Sequence, residues 1–453
     1  MEISIFFLLA SLLLDLYVVR KLCRKGDLNL FDIITVFYSL YFVLIPLKGV
    51  VSDGQYRGDS ILEIVSSSFL PSLYIFIIKI IFLLINIYIT NAKKESYYNI
   101  SHFFYIENEK VKLPPQSIYL FIIVFLIALK PIISYGDLTE DDVEGNLTYF
   151  YGANLPLYER LIANMIRGAM PAFVLLSIKY HIEIQASRYR KWSYINLCII
   201  LACTLLSGRT NCFNILTIVL LYLYSCQKDL FTFKRIGLSA MALIFMVLVY
   251  FPLYQAFRMT KEVVVTNFTS HDFLDVASYF IKMDPKEFGE LYEKATQSSE
   301  GRSFNVYMAF YEACTKNYES TSGYYVIENI MCLNPLQSPD ASKSNIYAEL
   351  LEGGGDIAES LPTVLYADIG YLFFFMIPVF YLGFFYLLWL IIRLAQSIFK
   401  TRELTFLFVS LIIVRCLTVE GSVHIREVYN PDVIVIFVFA FILRIYSQLC
   451  KNI

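Results

Sequence analysis

Apolar runs, broken by short polar stretches, recur along almost the whole chain. Read with a window of about 19 residues, they predict spans near 3–19, 30–48, 64–90, 116–134, 161–180, 193–207, 211–226, 236–256, 362–392, 404–419 and 432–448. That is about eleven transmembrane helices, an all-α polytopic architecture with one large loop between the eighth and ninth spans. The expected organisation is residues 1–256 as helices one to eight, 257–361 as the loop, and 362–453 as helices nine to eleven. The pair at 193–207 and 211–226 is short for a bilayer core of about 30 Å, so it reads as two tilted helices in a tight hairpin or as a re-entrant pair. The run at 362–392 is long, and reads as a short helix leading into a full span.

Composition places the chain in a lipid bilayer rather than among soluble enzymes: 57% of residues are hydrophobic, 17% aromatic and only 17% charged, with a mean hydropathy of +0.59. The first apolar segment, IFFLLASLLLDLYVV, has no basic stretch before it and no small-residue cleavage site after it, so it is expected to be a retained span. The nine cysteines are scattered, mostly within apolar runs, as reduced thiols that pack like small hydrophobes would be. No CxxC or Cys/His cluster argues for a metal, and no cofactor is expected.

Charge supplies the orientation. One alternating set of loops, with the C-terminal tail, holds 20 of the 37 basic residues, and Lys and Arg in short loops stay on the cytoplasmic side. The N-terminus is then periplasmic and the C-terminus cytoplasmic. The loop Phe257 to Leu361, 105 residues, falls outside; it carries eight basic and sixteen acidic residues, which excludes a nucleic-acid surface. Its tyrosines (Tyr279, Tyr292, Tyr307, Tyr311, Tyr318, Tyr324, Tyr325, Tyr347) offer flat rings for stacking on sugars, with ordinary aromatic packing as the competing reading. Cys314 and Cys332 lie in the same loop, where a disulfide is permitted in an oxidising compartment.

Charges inside spans are costly and mark pathways or sites. Asp15 in the first span and Lys79 in the third sit at similar expected depth, which predicts a buried ion pair that locks two helices, with a proton relay as the competing reading. Lys130, Arg167, Arg209, Arg258, Arg415 and Arg426 all map to outer span ends or short external loops. Snorkelling accounts for Lys130. As a set these residues defy the depletion of positive charge expected on that face, and five of the six are arginines, whose planar fork suits bidentate phosphate binding. The implied ligand is an anion at the outer leaflet, most simply the pyrophosphate of a lipid carrier. In LLSGRTNCFNIL, Arg209 would cap a helical hairpin, with Ser207 and Thr210 as hydroxyl donors.

An SGRT hairpin on the outer face, a single large external loop before the last spans, and the stretch LPTVLYADIGYLFFF together resemble the O-antigen polymerases, the oligosaccharide repeat-unit polymerases. The resemblance implies an inner-membrane glycosyltransferase that moves a growing glycan from undecaprenyl pyrophosphate onto an incoming undecaprenyl-pyrophosphate-linked oligosaccharide, with the lipid bilayer and a chain-length regulator protein as partners. Displacing pyrophosphate develops negative charge on the leaving group, so fixed cations are the largest expected catalytic contribution. Arg209, Arg258 and Arg426 are the leading candidates, with Arg167 and Arg415 as substrate-binding residues. The acceptor hydroxyl needs a base; His424 in VEGSVHIREVYNP is one, and Glu420, Glu427, Asp356 and Asp368 are others. Structural roles compete at each: Glu427 could pair with Arg426, Asp368 could cap the helix after ADIG, and Asp356 could serve the Gly353–Gly355 turn. A lipid-linked oligosaccharide flippase should place its cations in a central cavity, and an O-antigen ligase would share this architecture with another acceptor.

Overall fold

A computed structural model describes residues 2–24, 28–52, 54–56, 58–91, 115–133, 169–183, 187–206, 209–226, 249–268, 273–315 and 360–399, together with isolated positions between 156 and 166, 237 and 245, at 323 and 327, and between 438 and 445. The described chain is mostly helical, with one short strand pair, Gln55–Tyr56 against Asp59–Ser60. Among the described residues, four helical stretches are long and apolar enough to cross a membrane: Ile3–Cys23, Leu30–Val51, Leu70–Thr90 and Leu361–Gly383. Shorter apolar helices cover Ser117–Leu129, Met170–Ile182 and Ile215–Tyr224. The protein is a membrane protein.

The first three long helices form one packed unit. Helix α1 (Glu2–Cys23) is 22 residues, about 33 Å at 1.5 Å per residue. Helix α2 (Leu30–Ser39) continues through a π-helical turn (Leu40–Leu44) into α3 (Ile45–Val51). After the strand pair come α4 (Ile61–Ser67) and α5 (Leu70–Asn91). Along α5 a polar residue returns every seventh position, Ser72, Lys79 and Asn86, each buried. A seven-residue spacing keeps one stripe facing a helix that runs alongside. On α1 the matching stripe holds Ser4 and Ser11, 1% and 0% exposed, and small residues let backbones approach. Ser4 reaches the carbonyl of Ser68, Lys79 reaches Ser11 and Asp15, and Lys21 reaches Asn86, so the two helices run parallel. The opposite face of α1, with Phe6, Leu9, Leu13 and Leu16 half or more exposed, suits lipid.

Two polar knots close this unit. In the middle, Lys79 Nζ donates to Asp15 Oδ1 at 2.8 Å, to the Ser11 carbonyl at 2.6 Å and to Ser39 Oγ, while Ser39 donates to Asp15 Oδ2 at 2.6 Å. The ammonium's three protons thus have three acceptors, and the ion pair expected from matching depth is present. At one end, Asn29 and Asp32 form a capping box on α2. The fully buried Asp32 carboxylate also takes Lys21 Nζ at 2.8 Å and the Asn86 amide, whose oxygen accepts from Asn29 Nδ2 at 2.6 Å.

Helices α6 (Ser117–Ile133), α7 (Met170–Glu183), α8 (Ser187–Leu206) and α9 (Arg209–Cys226) make a second group. Phe121 of α6 meets Tyr180 of α7 at 5.6 Å between ring centroids, His181 Nδ1 lies 2.7 Å from Ser193 Oγ of α8, and the Cys203 thiol of α8 points at the Phe125 carbonyl. Phe439, from the run expected at 432–448, packs on Phe121 and Phe173. Helix α8 starts at Ser187, six residues before the apolar run that predicts it, because the basic and aromatic residues RYRKW continue the helix beyond the apolar window.

The segment after residue 250 is largely helical where described. Helix α10 (Phe251–Phe268) runs through residue 257 without a break, followed by α11 (Phe273–Lys282) and the 31-residue α12 (Pro285–Thr315). Helix α10 packs along α11 and α12, with Phe257, Phe280, Phe288 and Tyr292 in a continuous row of ring contacts. The C-terminal half of α12 then lies over the ends of α3, α4 and α5. Finally α13 (Leu361–Ile369) and α14 (Phe373–Phe399) are separated by a 3₁₀ turn at Gly370–Leu372. Gly370 adopts φ 57° and ψ −137°, a conformation essentially reserved for glycine, so the run expected at 362–392 divides there into a short helix and a long one. Helix α14 has 27 residues, about 40 Å, enough to cross a bilayer alone.

Candidate functional site

The most elaborately held part of the structure is the end of the bundle that α12 covers. Tyr56 donates to Asn305 Oδ1 at 2.7 Å, Ser67 Oγ lies 2.5 Å from Tyr311 Oη, and Ser72 Oγ lies 3.5 Å from Tyr307 Oη. Between these polar ties, Phe42 meets Phe310 at 5.7 Å and Tyr56 meets Phe304 at 5.4 Å. Tyr307 is fully buried. Tyr307 is therefore a packing and hydrogen-bonding residue, and stacking on sugars is corrected for it, because its ring and hydroxyl are engaged within the buried core; Tyr311 is partly buried and tied to Ser67 through its hydroxyl. Tyr279, half-buried against Val264 and Val276, donates to Glu287 Oε1 at 2.7 Å, a carboxylate partner that raises the phenol's pKa. Cys314 is a buried free thiol, pushed up in pKa by that burial; Cys332, the partner considered for it, lies outside the described residues.

Under this cap sits α13, buried over most of its length. Its Asp368 is 1% exposed and accepts the backbone N–H of Gly323 at 3.1 Å, while its own carbonyl accepts the same N–H at 3.3 Å. Gly323, at φ 88°, thus brings a part of the chain far from α13 onto the end of that helix. A carboxylate at a helix C-terminus meets the negative end of the helix dipole, and the Gly323 N–H helps to hold it there. The capping role considered for Asp368 is replaced by this longer-range one: Asp368 ends α13, and it orders Gly323 rather than the start of the next helix. At the same end of α13, Tyr74, Tyr366 and Tyr371 form a triangle of rings at 5.7, 6.0 and 6.1 Å, with Tyr371 66% exposed.

Arg209 is the first residue of α9, and Thr210 the second. A helix start presents unpaired backbone N–H groups and a partial positive charge, the setting in which an arginine adds to anion attraction. Arg258 lies inside α10, four residues after Tyr254 and two before the fully buried Thr260, which bonds the Ala256 carbonyl at 3.0 Å. The side chains of Arg209, Thr210 and Arg258, and the whole of Ser207, Arg167, Asp356, Arg415, His424 and Arg426, lie outside the described residues. Asp368 is thus the candidate whose side chain the structure places. Among the described residues no group of three or more His, Cys, Asp or Glu could hold a metal.

Sequence reasoning passed over two features. The knot of Lys21, Asn29, Asp32 and Asn86 had a signal, since Asn-x-x-Asp before an apolar run is a capping pattern and Asn86 stands seven residues after Lys79. The Tyr74, Tyr366 and Tyr371 cluster had none, because its members come from distant helices. Comparison with protein-family models, with curated proteins and with solved structures finds no match.

Proposed function

We propose that the chain is a membrane glycosyltransferase that polymerises undecaprenyl-pyrophosphate-linked oligosaccharide repeat units at the periplasmic face of the bacterial inner membrane. The observation that carries this reading is Asp368, a carboxylate buried under the helices that join the eighth and ninth expected spans, set against the dipole of its own helix. With about eleven spans oriented by the basic loops, that end of the bundle faces the periplasm, where lipid-linked repeat units are joined.

In the proposed reaction a hydroxyl of the incoming repeat unit attacks the anomeric carbon of the growing glycan, and the bond from that carbon to the pyrophosphate oxygen breaks. The electron pair leaves with undecaprenyl pyrophosphate, and the hydroxyl proton passes to a base. Arginine guanidinium groups stabilise the leaving charge; Arg209, at a helix start, is the first choice, with Arg258, Arg426, Arg167 and Arg415 beside it. Asp368 or His424 is the acceptor of the proton. A chain-length regulator protein is the expected partner.

Deleting the gene in its own host tests the reading. Surface glycan reduced to a single repeat unit is the expected result. Surface glycan carrying no repeat unit would point to a ligase or to a flippase instead, and an unchanged glycan would overturn the proposal.

A further inference from the structure

Residues 179–194 read KYHIEIQASRYRKWSY, four basic residues against one acidic, Glu183. Arg190 and Lys191 are exposed, in the first turns of α8. That placement runs against the helix dipole, which favours anions at this end. Positive potential from the side chains and from the helix start therefore adds at one corner of the α6–α8 group. Aromatic rings stand beside it: Tyr119 of α6 lies 5.5 Å from Trp192 and 6.4 Å from Tyr189. Trp192, Tyr194 and Tyr119 are 41%, 52% and 39% exposed, the half-wet setting that indole and phenol rings take at headgroup level. Within a turn of Tyr119, Gln116 Oε1 and Ser117 Oγ are buried without a hydrogen-bond partner, a state few polar atoms are left in. Leading away from the corner, Ile123 and Leu126 on α6 and Ile195 and Leu201 on α8 are exposed apolar residues.

We propose that this corner is a binding site for the headgroup of an anionic phospholipid. The phosphate is drawn by Arg190, Lys191 and the start of α8, the Tyr119–Trp192 pair flanks the glycerol backbone, and the acyl chains follow the exposed apolar side chains. Charge complementarity and the apolar path select a lipid over a soluble anion.

The full-length protein in neutral detergent, titrated with dioleoylphosphatidylglycerol, dioleoylphosphatidylcholine or inorganic phosphate, tests the proposal through the shift in thermal unfolding. Phosphatidylglycerol alone is expected to raise Tm. At about 1 kcal/mol per basic residue near an anionic lipid surface, Arg190→Gln and Lys191→Gln should each weaken its affinity about 5-fold. Trp192→Ala should weaken it too, with Trp192→Tyr restoring most of the binding. Mass spectrometry of the intact wild-type protein should find bound phosphatidylglycerol, which keeps the proposal testable if a variant does not fold. An equal shift with phosphatidylcholine, the same shift with inorganic phosphate, or unchanged affinity in both charge variants would overturn it.

Discussion

The α1–α2–α5 unit and the α6–α8 group both bury polar side chains among apolar helices, and they treat them differently, although one hydroxyl of the first unit, Ser11 Oγ, is also buried without a partner. In the first, Asp15, Ser39 and Lys79 bond one another, as do Lys21, Asn29, Asp32 and Asn86. In the second, His181 and Ser193 pair, but Ser117, Ser177 and Asn196, each at most 1% exposed, hold buried atoms with no partner. Ser177 lies one turn from His181 on α7, and Asn196 one turn from Ser193 on α8, so these two face the same seam. Polar residues in membrane helices thus serve two ends: they fasten helices when they meet each other, and they leave the packing incomplete when they do not.

Breaking the fastened unit should have the largest effect. Lys79→Ala leaves Asp15 buried without its cation, at a cost of about 3–5 kcal/mol, and should sharply lower the yield of folded protein. The double variant Asp15→Asn with Lys79→Met should recover much of it. Recovery of glycan synthesis in step with protein amount would mark the pair as structural, whereas normal abundance with lost synthesis would make it a proton relay. Asn86→Leu comes next. It removes a partner from Asp32, Asn29 and Lys21 together, and should cost about 1–3 kcal/mol for each buried group left unsatisfied, read as a lower unfolding temperature in detergent.

The smallest effects should lie in the second group. Ser177→Ala removes a hydroxyl that bonds nothing, so its stability should stay within about 0.5 kcal/mol of wild type. A loss several times larger would mean that Ser177 has a bound partner, and would erase the contrast between the two regions.

The same contrast shows what the sequence can and cannot reveal. Asp15 and Lys79 could be paired from depth alone, because two opposite charges in long apolar runs have few other solutions. The break at Gly370 was also legible, since a run from 362 to 392 is too long for one span. The packing of α12 over α3–α5 was not: α12 has a mixed surface, and Tyr307 and Tyr311 look the same in sequence whether they stack on a ligand or pack on Phe304 and Ser67. Nor could hydropathy distinguish the bonded Asn86 from the unbonded Asn196, because it sees residue type and not the neighbour across the seam. Of the candidate site, the placement of Asp368 under the cap came only from three-dimensional packing, while the arginine set is a reading of charge and topology.

The central claim, polymerisation at the covered end of the bundle, is tested most directly by the length distribution of surface glycan in cells whose only copy carries Arg209→Ala or Asp368→Asn. Each charge-assisted hydrogen bond lost should cost about 1.5–3 kcal/mol, or roughly one to two decades in rate. Both variants should reach the membrane at wild-type abundance, lose long chains and keep single repeat units. Arg209→Lys should show a milder defect, and Lys130→Ala should keep long chains. Full-length polymer from both Arg209→Ala and Asp368→Asn at normal abundance would contradict the account.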